Sequence, residues 1–268
     1  MVEFSLRELR VDVPHGARIW NYWLGGKDNY AADREIGDAV CATFPVMPDY
    51  AKKSRQFLVR AVRFLASEAG VTQFIDVGTG LPTMQNTHEI AQGVAPTARV
   101  VYVDNDPIVL CHARALLANS TPDGVVSYID ADYTEPGRII ERARAVLDFD
   151  QPVAVMFMGV FGYLDDPTAA DAVITELMAA VPTGSYLALW DGTDTSEEIR
   201  AAAQAQADLG SPYALRTIEE IQAWFDGFDL VAPGLVPLTR WRPDTAYVNE
   251  LGDEPGDIDA YGGVAHKP

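Results

Sequence analysis

At residues 74–82 the chain reads FIDVGTGLP, an apolar run that ends in a Gly-x-Gly turn. A turn of this kind at the carboxyl end of a strand lets the backbone approach a ligand closely. It departs from the dinucleotide fingerprint, because Thr83 stands where the third glycine would fall and Pro82 precedes it. Asp76 lies two residues before the first glycine, where a pyrophosphate would meet a negative charge. The run therefore predicts a strand with a ligand site at its end and disfavours a dinucleotide.

Around this run, short β-branched stretches alternate with helical patterns. We predict strands over five stretches that are nearly continuous in apolar residues: 73–77, 99–104, 125–129, 153–158 and 185–190. Helical patterns follow these strands or lie further along the chain, at 87–94, 107–118, 136–147, 168–181 and 217–225. Continuous apolar runs are typical of strands covered on both faces, and the alternation implies right-handed crossovers. The predicted fold class is α/β, a doubly wound Rossmann-like sheet.

The two ends of the chain differ from this central pattern. Residues 1–69 contain no convincing strand and are interpreted as a helical N-terminal cap, with a helix over 50–69 that Asp49 begins as N-cap and Gly70 stops. Residues 70–251 form the α/β domain, and short extended pieces are expected at 228–231, 235–238 and 246–249. The tail over 252–268 is rich in Gly, Pro and Asp, so we expect it to be poorly ordered.

The composition is that of an acidic globular protein. The 268 residues include 20 Lys+Arg against 39 Asp+Glu, a formal net charge of −19. Such a surface repels phosphate backbones and anionic membranes, so neither nucleic acid nor membrane is an expected partner. Cys41 and Cys111 are isolated and no metal-ligand cluster is evident, which fits a reducing cytoplasm and no metal cofactor. The N-terminal stretch lacks the apolar core of a signal peptide.

Acidic residues also end the second and third predicted strands. Asp104 can accept hydrogen bonds from both hydroxyls of a ribose, and a helix cap formed by Asp104 or Asp106 is the alternative. After the third strand, Asp130 is preferred over Asp132 as acceptor for an adenine amino group, with a turn or helix-start role as the alternative. A zwitterionic ligand with an ammonium group would tolerate Asp76. Together these carboxylates favour S-adenosylmethionine over NAD.

Several segments match a known family. They are RIWNYWLGGKDNY at 18–30, then 74–83, 86–89, 101–107, 128–132, 233–237 and 241–243. In these the chain resembles class I S-adenosylmethionine-dependent methyltransferases, and more closely the bacterial S-adenosyl methyltransferase family. The resemblance implies a seven-stranded, mostly parallel sheet with an antiparallel last strand. It also implies that S-adenosylmethionine, with S-adenosylhomocysteine as product, is bound by Asp76, Gly78, Thr79, Gly80, Asp104, Asn105, Asp130, Ala131, Met158 and Gly159.

The sequence indicates the binding site of the methyl acceptor less clearly than that of the cofactor. Positioning contributes most to methyl transfer, and a general base is needed only for a protonated acceptor. Polar residues surround the Gly25-Gly26 pair: Asn21, Tyr22, Lys27, Asp28 and Asn29. They could form a lid over the ligand, a turn between two cap helices, or a contact in a homodimer. Candidates for a catalytic role, none of them assigned, are Tyr22, Lys27, Tyr163 and Asp191.

Motifs that the sequence lacks narrow the acceptor class. No Asp/Asn-Pro-Pro-Tyr/Phe sequence follows the fourth strand and no Pro-Cys pair occurs, so methylation of a DNA base is not indicated. The sequence therefore predicts a methyltransferase that acts on an oxygen or nitrogen atom of a small molecule. The alternatives are a non-catalytic regulatory module that binds S-adenosylmethionine or S-adenosylhomocysteine, and an NAD-dependent oxidoreductase, which Asp76 and Thr83 disfavour.

Overall fold

A parallel β-sheet forms the centre of the protein. The computed structural model describes residues 11–82, 85–116, 119–164, 166–243 and 256–268. Its first five strands run parallel to one another: β1 (Gln73–Val77), β2 (Arg99–Asp104), β3 (Val125–Asp130), β4 (Ala154–Met158) and β5 (Tyr186–Gly192). Nearly all residues of β1, β2, β4 and β5 are buried, as continuous apolar runs require. The predicted strands and the parallel α/β sheet are confirmed.

The C-terminal residues complete the sheet. The last strand, β8 (Ala260–His266), pairs antiparallel along the whole length of β5. Two short strands, β6 (Asp229–Leu230) and β7 (Val236–Pro237), also pair with β8. The prediction of a poorly ordered tail over 252–268 is therefore wrong for β8, and the α/β domain extends beyond residue 251.

Glycines explain why composition is a poor guide to this tail. A Cβ atom at Gly262 would lie 2.5 Å from Cβ of Trp190 on the neighbouring strand. Glycine inside a strand often marks a close approach of two backbones rather than disorder. The same residues that suggested an unordered segment thus allow β8 to pack against β5.

The order of strands places a crevice at the middle of the sheet. The described strands form an eight-stranded sheet in the order β3-β2-β1-β4-β5-β8-β6, with β7 beside β8. The resemblance implies seven strands, and the additional one is the two-residue β7. The extended piece predicted at 246–249 lies outside the described residues. Because β1 has β2 on one side and β4 on the other, the loops after β1 and β4 diverge, and ligands of such sheets bind at this point.

Within the described residues that precede the sheet lie three helices: α1 (Gly16–Trp23), α2 (Ala31–Thr43) and α3 (Met47–Ser67). The helix predicted over 50–69 corresponds to α3 but begins earlier, after the N-cap residue Val46, so the prediction of Asp49 as N-cap is wrong. Pro48 is tolerated inside the first turn, where its missing N–H would have no partner within the helix. Gly70, with a φ of 68°, turns the chain out of the helix as predicted.

The N-terminal helices and the sheet share one core. Ile19 of α1, Phe57 of α3 and Trp190 of β5 belong to the same cluster of buried apolar side chains. The guanidinium of Arg60 on α3 donates to the backbone oxygen of Leu238 at 2.6 Å. The boundary predicted at residues 69 and 70 thus separates two segments that pack into one core.

The remaining helices cover the sheet: α4 (Thr87–Val94), α5 (Pro107–Leu116), α6 (Pro136–Ala143), α7 (Pro167–Ala180), α8 (Glu197–Asp208) and α9 (Ile218–Ala223). All except α8 lie where the sequence predicts helices. The alanine-rich α8 lacks a strong apolar period, although its N-cap Ser196 accepts a hydrogen bond from the Ile199 amide at 3.2 Å. Within the described ranges, no helix is both long enough and apolar enough to cross a bilayer.

Candidate functional site

A cavity of about 470 Å³ lies at the carboxyl ends of β1, β2 and β4. The loops after these strands line one side of it, and residues of α1 and α3 line another. Its volume falls within the range of about 300 to 1,000 Å³ that small-molecule sites occupy. The cavity therefore joins the crevice of the sheet to the N-terminal helices.

The glycine turn after β1 borders this cavity. Gly78 and Gly80 have φ angles of 68° and 67°, which residues with a Cβ atom rarely adopt. The amide of Gly78 donates to the backbone oxygen of Val103 at 2.8 Å, and the amide of Gly80 donates to Oδ2 of Asp104 at 2.9 Å. Thr79 lies between the two glycines and also lines the cavity. The turn is thus tied to the end of β2, and its backbone faces the cavity.

Asp76 of β1 places a buried carboxylate on the cavity wall. Its Oδ2 accepts a hydrogen bond from Oγ1 of Thr87 at 2.6 Å. Burial raises the pKa of Asp76 to about 6, although the Thr87 hydrogen bond and the Arg55 guanidinium oppose the shift. At neutral pH this carboxylate is therefore ionised and can hold a cationic group.

Arg55 of α3 brings a positive charge to the same cavity, and sequence analysis missed it. Its Nη2 donates to the backbone oxygen of Gln85 at 2.9 Å, and its Nε is buried without a hydrogen-bond partner among the described residues. Burial lowers the pKa of Arg55, and the nearby Asp76 opposes this. A signal existed in the sequence, because Arg55 lies at helical spacing from Ala51 and Leu58, which line the cavity too.

Asp104 is 7% exposed at the end of β2 and lines the cavity. Its Oδ2 accepts from the Gly80 amide and its Oδ1 from the Asp106 amide, at 2.9 Å each. Burial raises the pKa of Asp104, and the two hydrogen bonds oppose this rise. The helix cap is a different carboxylate, because Oδ1 of Asp106 accepts from the Ile108 amide at 2.8 Å. Each oxygen of Asp104 keeps a lone pair for a ligand.

The carboxylate that reaches the cavity after β3 is Asp132. Asp130 has an exposed side chain and does not line the cavity, whereas Ala131 and Asp132 do. The preference for Asp130 is therefore not supported. The reason is that β3 continues through Asp130, which pairs with Asp104, so the chain turns toward the cavity one residue later than predicted. Nδ2 of Asn105 donates to Oδ2 of Asp132 at 2.6 Å, which places these two side chains together at the cavity.

Met158 and Gly159 at the end of β4 also line the cavity. Gly159 has a φ of 73°, and its amide donates to the backbone oxygen of Trp190 at 3.0 Å. A Cβ atom at this position would lie 2.4 Å from Cη2 of Trp190. The site thus requires glycine both for its backbone conformation and for its approach to the indole ring.

Replacement of Gly159 by Ala is expected to lower the free energy of unfolding by roughly 2 kcal/mol, since a left-handed conformation costs about 1–2 kcal/mol and overpacking adds to it. Gly93→Ala in α4 is the matched control, because a Cβ there meets nothing within 4 Å. Alanine in a helix is favoured over glycine by up to about 1 kcal/mol, so the control is expected to be neutral or stabilising. Urea unfolding measures both, and a Gly159→Ala protein as stable as the parent contradicts the close approach.

The polar loop after α1 binds mainly to itself. Oδ1 of Asn21 accepts from the amide of Asp28 and from Nδ2 of Asn29, at 3.0 Å each. The Tyr22 hydroxyl donates to Asp38 at 2.6 Å, and Lys27 is exposed. Asn21 lines the cavity, whereas the other four candidates from this loop do not: Tyr22, Lys27, Asp28 and Asn29. These contacts match the alternative of a turn between two helices, and they place neither Tyr22 nor Lys27 at the cavity.

Buried charges hold α1 against the loop after β2. Arg18 is 3% exposed, and its Nε lies 3.5 Å from Oδ1 of Asp33 and 3.6 Å from Oδ2 of Asp106. Nδ1 of His15, a residue that lines the cavity, lies 3.1 Å from the same oxygen of Asp106. Removing one member of a buried charge cluster leaves the others uncompensated, which is costly. The cluster therefore fixes the position of α1 beside the cavity.

Tyr163 and Asp191 differ in their access to the cavity. Tyr163 lines it, and its hydroxyl accepts a hydrogen bond from Nε1 of Trp20 at 3.1 Å. Burial raises the pKa of Tyr163, so the side chain stays a neutral phenol. Asp191 is fully buried, does not line the cavity, and accepts from the Tyr213 hydroxyl and from the Phe161 amide. Burial raises the pKa of Asp191 to about 6, but its carboxylate is engaged by the Tyr213 hydroxyl outside the cavity lining.

Two solved structures are similar to this chain over nearly its whole length. A DUF574 family protein from Streptomyces avermitilis is 43% identical, with a TM-score of 0.90 and coverage of 97% of this chain and 100% of the other. A candidate methyltransferase from Thermobifida fusca is 41% identical, with a TM-score of 0.85 and 97% coverage of both chains. No curated protein matches the sequence.

More distant structures share the fold alone. An O-methyltransferase family 2 protein from Planctomyces limnophilus, in complex with apigenin, is 16% identical with a TM-score of 0.50, over 93% of this chain and 65% of the other.

A family model described as S-adenosyl methyltransferase matches residues 3–268. The chain therefore belongs to the S-adenosyl methyltransferase family and is a S-adenosylmethionine-dependent methyltransferase.

Proposed function

We propose that this methyltransferase transfers the methyl group to an oxygen or nitrogen atom of a small molecule, and that the cavity holds cofactor and acceptor together. The observation that carries the proposal is the cavity itself, which measures about 470 Å³ and lies between the strand ends and the helices α1 and α3. A cavity covered in this way suits a ligand that can be enclosed. The net charge of −19 adds an argument against a nucleic-acid acceptor.

The amino-acid end of S-adenosylmethionine fits the charges of Asp76 and Arg55. Its ammonium group would pair with the Asp76 carboxylate, and its carboxylate would pair with the Arg55 guanidinium, whose buried Nε lacks a partner among the described residues. Hydrogen bonds between ionised groups are roughly twice as strong as those between neutral groups. The two residues would thus orient this end of the cofactor.

The nucleoside end fits the carboxylates that follow β2 and β3. Asp104 would accept hydrogen bonds from the ribose hydroxyls with the lone pairs that its backbone contacts leave. Asp132, rather than Asp130, would accept from the adenine amino group, and Ala131 would cover part of the ring. The turn with Gly78, a left-handed residue, offers backbone close to the ligand.

When bound, S-adenosylmethionine supplies a methyl group, and the electron pair of the broken carbon–sulfur bond stays on sulfur. A lone pair of the acceptor forms the new bond to the methyl carbon, and the proton of the acceptor passes to water. The chain's own residues contribute by orienting both partners, and such positioning can account for about 7–11 kcal/mol of a barrier. Tyr163 is a neutral phenol and Asp191 does not line the cavity, so neither is assigned as a general base.

The proposal is tested with S-adenosylmethionine that carries tritium in its methyl group. The protein is incubated with this cofactor and, separately, with the dialysable, protein and RNA fractions of one bacterial extract. We expect label in the dialysable fraction at about tenfold or more above the level given by an Asp104→Ala variant. Label in the protein or RNA fraction would overturn the small-molecule assignment. No label in any fraction, with S-adenosylhomocysteine bound in calorimetry, would support the regulatory module instead.

A further inference from the structure

One wall of the cavity is aromatic. Trp20 of α1, Tyr163 after β4 and Trp190 of β5 all line it, beside Met158 and Gly159. The Trp20 and Trp190 rings pack edge to face with their centroids 5.8 Å apart. We call these three side chains the aromatic wall.

A second, smaller cavity lies behind the aromatic wall. It measures about 40 Å³, and Trp20 and Tyr163 line both cavities. Its other lining residues include Gln206 of α8 and Tyr213, whose ring packs edge to face on Tyr163 at 4.9 Å. A side chain that moves slightly in this wall would therefore have room behind it.

The aromatic wall carries no charge of its own. None of the described residues that line the second cavity is charged. Asp191 of β5 is fully buried and is engaged by the Tyr213 hydroxyl and by the amides of Phe161 and Gly192. The carboxylates that line the larger cavity are those proposed to hold the cofactor: Asp76, Asp104 and Asp132. With these engaged, a cationic acceptor would find no free carboxylate to pair with at the wall.

The wall carries a buried N–H donor. Trp190 lines the cavity and is 3% exposed, and its Nε1 has no hydrogen-bond partner among the residues described. Gln206 lines only the smaller cavity behind the wall, where it interacts with the Tyr163 hydroxyl. A buried donor without a partner is unfavourable, and a ligand oxygen would relieve this. A donor without an acceptor on an aromatic surface indicates the chemistry of the ligand.

We propose that the aromatic wall, with the Nε1 donor of Trp190, binds a neutral aromatic acceptor that carries hydroxyl or carbonyl oxygens, and that an aromatic hydroxyl receives the methyl group. Ring contacts with Trp20, Tyr163 and Trp190 would hold the acceptor by edge-to-face and offset packing. The hydroxyl proton leaves to water as the new carbon–oxygen bond forms. The inference rests on the proposed function, since it names the class of acceptor for the same cavity.

The test uses 2-naphthol as the probe, with decahydro-2-naphthol as its saturated match and 2-naphthylmethylamine as a cationic one. Each is titrated by calorimetry and by tryptophan fluorescence into the protein saturated with S-adenosylhomocysteine. We expect 2-naphthol to bind about tenfold or more tighter than either other probe, a difference of about 1.4 kcal/mol. Equal or tighter binding of the saturated or cationic probe would overturn the inference.

A pair of variants tests the donor. Trp190→Phe keeps an aromatic ring and removes the N–H donor, and we expect about a fivefold to tenfold loss of 2-naphthol affinity, larger than any loss of S-adenosylhomocysteine affinity. Trp241→Phe is the control, because Trp241 is fully buried, its Nε1 likewise has no hydrogen-bond partner among the described residues, and it lines neither cavity. Equal effects of the two variants would also overturn the inference. If the protein does not bind S-adenosylhomocysteine, both the proposed function and this inference are refuted. If it binds S-adenosylhomocysteine but shows no preference for 2-naphthol, only this inference is refuted.

Discussion

Replacement of Asp104 by Ala is expected to lower the affinity for S-adenosylhomocysteine by about 100-fold. Under the proposed assignment the variant would lose two hydrogen bonds from the ribose hydroxyls to a carboxylate, each worth about 1.5 kcal/mol or more, and about 2.8 kcal/mol corresponds to 100-fold. It also removes the acceptor of the Gly80 amide, which holds the glycine turn against β2. Calorimetric titration at pH 7.5 measures the change.

Asp130→Ala is the matched control for this variant. It removes the same charge at the position paired with Asp104 on the neighbouring strand, but its side chain is exposed and outside the cavity. We expect its affinity to equal that of the parent, and thermal unfolding of both variants checks that they fold. Unchanged affinity in Asp104→Ala, or an equal loss in Asp130→Ala, would refute the assignment of Asp104 to the ribose.

Replacement of Arg55 by Met is expected to weaken S-adenosylhomocysteine binding by about 10-fold to 100-fold. A hydrogen bond between the buried guanidinium and the ligand carboxylate is worth about 1.5–3 kcal/mol, and methionine keeps much of the side-chain volume without the charge. Asp76 would then face the ligand without its opposite charge beside it. The measurement is again calorimetric titration.

Two controls separate a specific contact of Arg55 from a general effect. Lys52→Met removes the same charge from an exposed position on α3, and we expect no change in affinity. 5′-Methylthioadenosine lacks the amino-acid end of the cofactor, so Arg55→Met is expected to leave its affinity unchanged. A loss for 5′-methylthioadenosine as large as that for S-adenosylhomocysteine would show that Arg55 acts on the shape of the cavity and not on the carboxylate.

The central sheet and much of the cofactor side of the cavity could be predicted from sequence. The run at 74–82 combines a buried strand with a glycine turn, and both depend mainly on neighbouring residues. Parallel strands end at the same edge of a sheet, so the carboxylates at the ends of β1 and β2 come together, and Asp76 and Asp104 both line the cavity. The choice between Asp130 and Asp132 depended on a strand boundary, where sequence patterns are least reliable.

Other features depend on partners that are distant in the chain. The prediction for the C-terminal tail failed because the pairing of β8 requires the open edge of β5, about which a local composition rich in glycine says nothing. In the sequence, Arg55 is one of several basic residues on an amphipathic helix. Only the packing of α3 beside the strand ends places it at the cavity. The sequence leaves the polar loop around Gly26 open as a lid, a turn or a dimer contact, and the hydrogen bond between the Asn21 and Asn29 side chains favours the turn.

The amino-acid sequence alone specifies the α/β sheet, the glycine turn and the carboxylates Asp76 and Asp104, because short-range periodicity and turn chemistry act within a few residues. The aromatic wall is specified only in three dimensions. Trp20 and Trp190 come from α1 and β5, and each reads in the sequence as an ordinary core or helix residue. They join Tyr163 in one surface because the burial of apolar area packs the N-terminal helices onto the carboxyl edge of the sheet, and that burial depends on the whole chain.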